Sequence, residues 1–242
     1  KHLQATFKDR NAYNFFNFEY EERSGVDAVS AKFFPTYSSV AEAVWVYHEK
    51  PDSMIASGLY RFNKWGYDFQ FLGGMIQTDW AMGTGWTGHI AKMSFRGEMT
   101  YLVPRISNNQ SDALILSVSG DYTFGSLNNY VHAGILLNSS GKKNVAQSLS
   151  LFQETQVSPR SLSRGKTNLF AQYSFQPMPL INLGISAIVS PVDGSAFVSP
   201  TGTLSISNNF DFSTVFLLFV GEKGDEFGGA GQMGYLKFKY SF

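Results

Sequence analysis

Hydrophobic and polar residues alternate along most of this chain with the two-residue period of a β-strand. In YDFQFLGGMI at 67–76, Phe69 and Phe71 fall on one side of an extended strand, while Asp68 and Gln70 fall on the other. No segment keeps the 3.6-residue period of an amphipathic helix, which leaves room for helix only within 142–165. The pattern predicts an all-β fold of about fourteen strands, with about twelve as the smaller alternative. The predicted strands cover 14–21, 25–34, 40–48, 55–62, 67–76, 81–90, 93–103, 113–122, 130–138, 168–175, 180–189, 201–207, 210–220 and 233–242.

The connections between the predicted strands are alternately short and long. Two connections in the long set, at 21–25 and 78–79, are short and depart from the rule. Short turns at one end and longer loops at the other are typical of an up-and-down β-barrel. All eight prolines are assigned to turns, loops or strand ends, because proline cannot donate to a strand ladder. The short connections lie at 34–39, 61–66, 89–93, 123–129, 175–180 and 207–211, and the longer ones at 48–53, 104–113, 139–166, 190–196 and 221–232.

The two sides of the predicted strands differ in chemistry, with aromatic and aliphatic residues on one side and charged residues on the other. A soluble barrel of this size needs an apolar core, whereas a membrane barrel turns its apolar side to lipid and its polar side inward. The residues expected to point outward include Phe16, Phe18, Phe69, Phe71, Phe95, Tyr101, Phe212, Phe216, Phe238 and Tyr240. The residues expected to line the interior are Glu19, Glu21, Lys32, Arg61, Asp68, Arg96, Glu98, Asp121, Asp211, Lys237 and Lys239.

Composition narrows the function classes. The 242 residues are 43% hydrophobic and 16% aromatic, and only 16% are charged, against about 25% in ordinary globular chains. The formal net charge is zero, so nothing indicates binding to nucleic acid. The chain has no Cys, which excludes disulfides and thiolate metal sites. The longest apolar run, VFLLFV at 215–220, is far shorter than the ~20 residues of a membrane helix.

The final strand, GYLKFKYSF, resembles the C-terminal assembly signal of bacterial outer-membrane β-barrels. Leu236, Phe238, Tyr240 and Phe242 alternate with polar residues in it. The alternation and the loop lengths extend this resemblance over nearly the whole chain. It implies a closed antiparallel up-and-down transmembrane β-barrel in the bacterial outer membrane, in contact with lipid and inserted by the barrel-assembly machinery.

This resemblance also implies one domain over 1–242, with an N-terminal segment at 1–12 and a long extracellular loop at 139–166. A soluble β-sandwich or a lipocalin-like barrel is the alternative fold. Tyr and Trp prefer the headgroup level of a bilayer, so aromatic residues near strand ends are candidates for an interfacial girdle. These candidates are Tyr47, Trp65, Tyr67, Tyr101, Tyr122, Tyr173 and Tyr240.

Residues that carry catalytic chemistry are sparse. The four histidines show no metal-ligand spacing, and nucleophile-elbow, phosphate-loop and dinucleotide motifs are absent, so we predict no metal and no cofactor. The glycine-rich GTGWTG at 83–88 is interpreted as close strand packing or a bend. His132 and Asp121, on neighbouring predicted strands, are the one pair that fits a hydrolase on the barrel wall or rim.

The charged interior favours a channel for passive passage of small hydrophilic solutes or ions. Acidic residues concentrate in the first strands, at Glu19, Glu21 and Glu42, and basic ones in the last, at Lys237 and Lys239. In a closed barrel these strands are neighbours, so the charges face or pair across the seam, either lining a wet pore or forming a plug. The alternative function is a barrel that anchors or binds a partner protein without transport. A homo-oligomer is compatible with both functions.

Overall fold

The computed structural model describes residues 3–7, 28–49, 51–106, 110–141, 160 and 165–241, with residues 3–7 described by their backbone alone. These residues form fourteen strands and one short 3-10 turn, Pro51–Ser53, so the all-β prediction is confirmed. The strands are β1 (Leu3–Phe7), β2 (Ala28–Thr36), β3 (Ser39–Val46), β4 (Ile55–Lys64), β5 (Tyr67–Ile76), β6 (Asp79–Ile90), β7 (Met93–Pro104), β8 (Ala113–Phe124), β9 (Asn129–Asn138), β10 (Thr167–Met178), β11 (Ile181–Val189), β12 (Ala196–Ser207), β13 (Phe210–Val220) and β14 (Gln232–Tyr240).

All fourteen strands belong to one antiparallel sheet, in which each strand pairs with its neighbours in sequence. This is the predicted up-and-down order. The sheet is open in the described part of the chain, because no pairing joins β14 to β1. Strand β1 lies within the segment 1–12, which the sequence analysis did not assign to a strand, and the predicted strand at 14–21 lies outside the described residues. The arguments below use the thirteen strands β2–β14.

The connections of the sheet are shorter at one end than at the other. We call the two ends the turn end and the loop end. The predicted alternation of short and long connections holds between the strands β2–β14, and the exception at 77–78 belongs to the loop end. The predicted short connection at 21–25 lies outside the described residues. The turn end carries 37–38, 65–66, 91–92, 125–128, 179–180 and 208–209, and the loop end carries 47–54, 77–78, 105–112, 139–166, 190–195 and 221–231.

The hairpin between β4 and β5 shows how the turn end is built. Trp65 and Gly66 have φ values of 55° and 76°. Two successive positive φ values are the geometry of the two-residue turn that matches the twist of antiparallel strands. Glycine accepts this conformation freely, while a tryptophan at the first position adopts it at a cost. The turn therefore holds the Trp65 side chain outside the strands, where it is 80% exposed.

One proline departs from the sequence prediction. Pro200 lies inside β12, opposite Ile185 of β11, and not in a loop or at a strand end. The ladder between β12 and β13 shows the effect of its missing N–H, because the paired residues run to Val198 and resume only at Thr201. Elsewhere Pro35 and Pro177 coincide with register shifts near the ends of β2 and β10, as expected for proline in a sheet.

The pairing registers divide the side chains of β2–β14 into a polar face and an apolar face. Of the twelve Asp, Glu, Lys and Arg residues in these strands, eleven share the polar face and only Lys64, the last residue of β4, is on the other. The apolar face carries bulky aromatic and aliphatic residues and almost no charge. No helix in the described ranges is long and apolar enough to cross a membrane. The polar face holds Lys32, Glu42, Arg61, Asp68, Asp79, Arg96, Glu98, Asp121, Asp211, Lys237 and Lys239.

Many aromatic side chains of the apolar face lie near the turn end, whereas Trp45, Trp80 and Tyr101 lie near the loop end. Phe62 stacks on Phe69 of the next strand, with ring centroids 5.6 Å apart. Tyr122 stacks on Phe124 at 5.9 Å, and Phe212 contacts Phe238 at 4.9 Å. We call this set the aromatic belt. Its members, read from the registers, are Tyr60, Phe62, Tyr67, Phe69, Trp86, Phe95, Tyr122, Phe124, Tyr173, Phe175, Phe212, Phe238 and Tyr240.

Candidate functional site on the polar face

Nine of the eleven residues expected to line an interior lie together on the polar face. They come from strands spread across the sheet, from β2 to β14, and the alternation alone brings them to one side. Glu19 and Glu21 lie outside the described residues, as do Phe16, Phe18 and Phe242. Of the residues in the predicted assembly signal, Leu236, Phe238 and Tyr240 share the apolar face. The nine polar-face residues are Lys32, Arg61, Asp68, Arg96, Glu98, Asp121, Asp211, Lys237 and Lys239.

Glu42 is the centre of a charge cluster that joins β2, β3 and β4 on the polar face. Its Oε2 atom lies 3.9 Å from Lys32 Nζ and 3.8 Å from Arg61 Nη2, and its side chain is 1% exposed. One buried carboxylate therefore faces two cations from the strands on either side. The two cations offset part of the cost of burying this charged group.

A second ion pair joins β7 to β8. The Arg96 guanidinium donates a hydrogen bond to Asp121 Oδ1, which is two residues along β8 from Ser119, the residue directly opposite Arg96. Asp68 has a neutral partner, because the Asn63 side-chain amide donates to its Oδ1 at 2.8 Å. Asp211 likewise accepts a hydrogen bond from the Ser205 hydroxyl at 2.7 Å. Most of these acidic side chains are thus held in place by a neighbouring strand.

Three charged side chains of the polar face have no such partner. Among the described residues, Glu98, Lys237 and Lys239 make no hydrogen bond or ion pair. Lys239 is directly opposite Asp211 in the register, yet the two do not form an ion pair within 4.0 Å. Unpaired charges require water, so the part of the polar face that carries them must be hydrated.

A cavity of about 790 Å³ lies against the polar face between β3 and β8. Two cross-strand rows of side chains line it. The first row runs from Arg61 through Gln70 and Gly85 to Glu98, and ends at Ser117. A Cβ atom on Gly85 would come within 2.7 Å of the Gln70 side-chain nitrogen, so the absence of a side chain there allows Gln70 to lie across β6. The second row is Asp68, Thr87, Arg96 and Ser119.

Towards the loop end the same face becomes apolar and packed. Leu102 and Ala113 are 0% exposed in a cluster with Ala81 and Ile115, and Ala28 packs with the valines of β3. A third cluster joins Phe197, Leu217 and Phe219 to Phe227, a residue of the connection between β13 and β14. Phe227 is 4% exposed. The connection 221–231 therefore folds over the polar face and covers its loop-end edge on β12 and β13.

Hydrogen bonds hold this connection in place. Glu226, which is 4% exposed, accepts hydrogen bonds from the Gly165 N–H and the Asn168 side-chain amide, both at 3.0 Å. A Cβ atom on Gly165 would collide with the Glu226 carboxylate, so a glycine is required where the two loops meet. The Phe227 N–H donates to the Ser195 hydroxyl at 3.1 Å. Three connections are thus joined at one point of the loop end.

An ion pair pins a second connection to the loop end. Arg160, from the long connection 139–166, donates from Nε and Nη2 to the two carboxylate oxygens of Asp79, at 2.9 and 2.8 Å. Its Nη1 donates to the Ser111 carbonyl at 2.7 Å, and its own carbonyl accepts from the Asn138 side chain. Both charged groups are mostly buried, with side-chain exposures of 13% and 5%. Two-point contact of this kind gives the pair a defined geometry.

Asp193 links the connection 190–195 to 221–231 and makes this contact sensitive to pH. Burial raises the pKa of its carboxyl, but hydrogen bonds from the Glu226 and Ser195 N–H groups and the Ser195 hydroxyl outweigh burial, so the pKa lies below its ordinary value. The carboxylate therefore stabilises the fold above the ordinary aspartate pKa, and this contribution is lost as the pH falls through the lowered value.

We expect Asp193→Asn to lower the unfolding temperature at pH 7 but not at a pH below the lowered pKa. An amide keeps the size of the side chain and loses the charge, so it resembles protonated Asp193. Thermal unfolding followed by circular dichroism at the two pH values measures the difference. If the variant and the parent differed in unfolding temperature by as much in acid as at pH 7, the stabilising role of the Asp193 charge would be contradicted.

The candidate catalytic pair lies together, but each of its two side chains is engaged by other residues in the described part of the chain. Asp121 and His132 are directly opposite each other on β8 and β9, on the polar face. Asp121 is engaged by Arg96, and the His132 ring packs edge-on against Phe170 with centroids 4.9 Å apart. The buried His132 Nε2 has no hydrogen-bond partner in the described part of the chain. His132 is therefore packed against the neighbouring strand of the sheet.

Sequence reasoning missed several residues of this site. Glu42 was counted among the interior charges of the first strands but was left out of the set expected to line the pore, although Ala41, Ala43 and Trp45 alternate with it on the other face. Gln70 likewise alternates with Phe69 and Phe71, which lie on the other face, but it was not assigned to the interior. No signal in the sequence marked Glu226, because its role depends on how a connection folds.

No protein-family model matches the chain, and no curated protein matches it. Its function is therefore inferred from its own residues.

Proposed function

We propose that the chain is a transmembrane β-barrel of the bacterial outer membrane that acts as a channel for small hydrophilic solutes or ions. The observation that carries this proposal is the separation of the faces, with Lys64 as the single charged residue of β2–β14 on the apolar face. A strand charge on a lipid-facing surface costs up to ~2–4 kcal/mol for Lys or Arg, so a lipid environment accounts for this separation.

Other features support the same setting. The aromatic belt lies at one end of the apolar face, where Tyr and Trp meet the headgroups of a bilayer. Lys64 is at that level, with its Nζ 4.4 Å from the centre of the Trp65 ring. A lysine at the membrane edge can extend its charge into water. The lipid bilayer is therefore the first partner we propose, followed by the barrel-assembly machinery and, for the assembled protein, copies of itself.

Closure is part of this proposal. The free edge of β14 carries a row of unpaired backbone groups, and in lipid each such group costs several kcal/mol. Pairing of this edge with the N-terminal strand removes that cost. It would also bring Lys237 and Lys239 near the acidic residues of the first strands, the arrangement expected from the sequence.

Passage of ions tests the channel directly. In planar bilayers we expect stepwise current from the wild-type chain, because a closed wall with unpaired Glu98, Lys237 and Lys239 encloses water. Changing Lys237 and Lys239 together to Glu should shift the reversal potential under a salt gradient towards cation selectivity, since charges on a pore wall set the potential that a permeating ion meets.

A protein that gives no current contradicts the channel. Current with an unchanged reversal potential in the double variant contradicts the placement of these lysines in the pore. Leu236→Ala, on the other face of β14, is the matched control and should leave the reversal potential unaltered.

One observation favours a second candidate, a barrel that anchors or binds a partner without transport. Apolar clusters and the connection 221–231 cover part of the polar face at the loop end. If the cover is complete in the membrane, no current will be seen in the experiment above. Catalysis has no comparable support, because among the described residues Asp121 is engaged by Arg96 and His132 Nε2 has no hydrogen-bond partner.

A further inference from the structure

We propose that the cavity against β3–β8 is a binding site for a small zwitterion, either an amino acid or a short peptide, with its carboxylate at Arg61 and its ammonium at Glu98. This inference deepens the proposed channel by naming a class of solute, and it rests on the polar face enclosing water. Its cavity of about 790 Å³ is within the range of small-molecule sites.

The positive end of the site is Arg61. Glu42 carries one negative charge and faces both Lys32 and Arg61, so one positive charge of this cluster is left over. The distances of 3.9 and 3.8 Å are longer than those of charge-assisted hydrogen bonds, and the Arg61 side chain is 47% exposed. Its planar fork of donors therefore remains suited to a second carboxylate, which guanidinium groups bind in a two-point geometry.

The negative end is Glu98. It makes no hydrogen bond or ion pair to any described residue, and its nearest cation on the same strand, Arg96, is taken by Asp121. Glu98 is exposed and lines the cavity. An ammonium group is the partner that such a carboxylate lacks.

The spacing and the group between the two ends select the ligand. Arg61 and Glu98 are in one cross-strand row, three strand spacings apart, or about 14 Å between their Cα atoms. Gln70 lies between them over Gly85 and presents both an amide donor and an amide acceptor. A ligand that matches this row has a carboxylate at Arg61, an amide at Gln70 and an ammonium at Glu98. A short peptide carries these three groups in this order.

The experiment compares three related ligands on the full chain folded in detergent micelles. Glycylglycine carries both charges, N-acetylglycylglycine lacks the ammonium, and glycylglycine amide lacks the carboxylate. Affinities are measured by saturation-transfer NMR titration, which detects weak binding and does not require transport. We expect saturable binding of glycylglycine, and binding of each analogue weaker by about tenfold, since each loses one charged hydrogen-bond partner.

Variants assign each end of the ligand to its residue. Arg61→Gln should weaken the binding of glycylglycine by about tenfold. It should leave the affinity for glycylglycine amide unchanged, because that ligand has no carboxylate for Arg61 to bind. Glu98→Gln should weaken the binding of glycylglycine by the same factor. It should leave the affinity for N-acetylglycylglycine unchanged, because that ligand has no ammonium. Gln172→Ala, on the polar face of β10, is the matched control and should leave all three affinities unchanged.

Three results overturn the inference. The first is no saturable binding of glycylglycine, and the second is equal affinity for all three ligands. The third is that Arg61→Gln and Glu98→Gln each lower the affinity for all three ligands by the same factor. The last result would assign Arg61 and Glu98 a structural role only. Binding by a protein that gives no current supports the site and contradicts the channel. Current without binding supports the channel and contradicts the site.

Discussion

If the chain is the proposed outer-membrane barrel, replacing Val118 with arginine should remove the folded protein from the outer membrane almost completely. Val118 is on the apolar face near the middle of β8, opposite Gly97 and Ile135. In a lipid-facing position near the centre of the bilayer an arginine costs ~2–4 kcal/mol, a large part of the stability of an ordinary domain. The amount of heat-modifiable folded protein in outer-membrane fractions, read from unheated and heated gel samples, measures the effect.

Ser117 provides the control for this change, because it is the next residue and is on the other face. It is opposite Glu98, so an arginine there gains a carboxylate partner and remains beside the cavity. Ser117→Arg should therefore assemble at nearly the parental level. Equal assembly of both variants, or a loss confined to Ser117→Arg, would mean that the apolar face is not the one in contact with lipid.

Asp79→Ala should destabilise the folded protein by about 3–5 kcal/mol, the usual cost of removing one partner from a buried ion pair. The change leaves the Arg160 guanidinium without its two-point acceptor in a site where its side chain is 13% exposed. Urea unfolding of the protein in lipid vesicles gives the free energy.

The matched control removes both charges. Asp79→Leu combined with Arg160→Met replaces the pair by apolar side chains of similar volume, which proteins often tolerate without loss of stability. The double variant should therefore be close to the parent. A cost below about 1 kcal/mol for Asp79→Ala would show that the contact is not held in the membrane.

The sequence predicts the sheet well because the information is local. A two-residue period is visible in any window of six residues, and it assigns Phe69, Asp68 and their neighbours to faces that the registers then reproduce. Even the glycine-rich β6 was identified from its length and position. The start of β12 was missed because Pro200 is a signal against a central strand.

The loop-end contacts could not be predicted for a physical reason. Asp79 and Arg160 are 81 positions apart, and Glu226 is 61 positions from Gly165. Each contact depends on the register of several strands and on the direction in which a connection folds. A buried Glu in GEKGDEFGG has the same local sequence signature as a solvated one. The cavity on the polar face could not be predicted for the same reason. The two rows of side chains that line it form only when the five strands β4–β8 pair in register.

In the proposed membrane barrel, Lys64 and Trp65 have a consequence for the depth of the protein in the bilayer. They would mark the level at which the apolar surface of β4 meets water, and β4 has 10 residues. Such a strand is about 31 Å long, and at a tilt of about 40° it spans about 24 Å of membrane thickness. This height matches the apolar band of about 25 Å of outer-membrane barrels. In a thicker bilayer the lipid would have to thin around the protein, at a fraction of a kcal/mol for each ångström of mismatch.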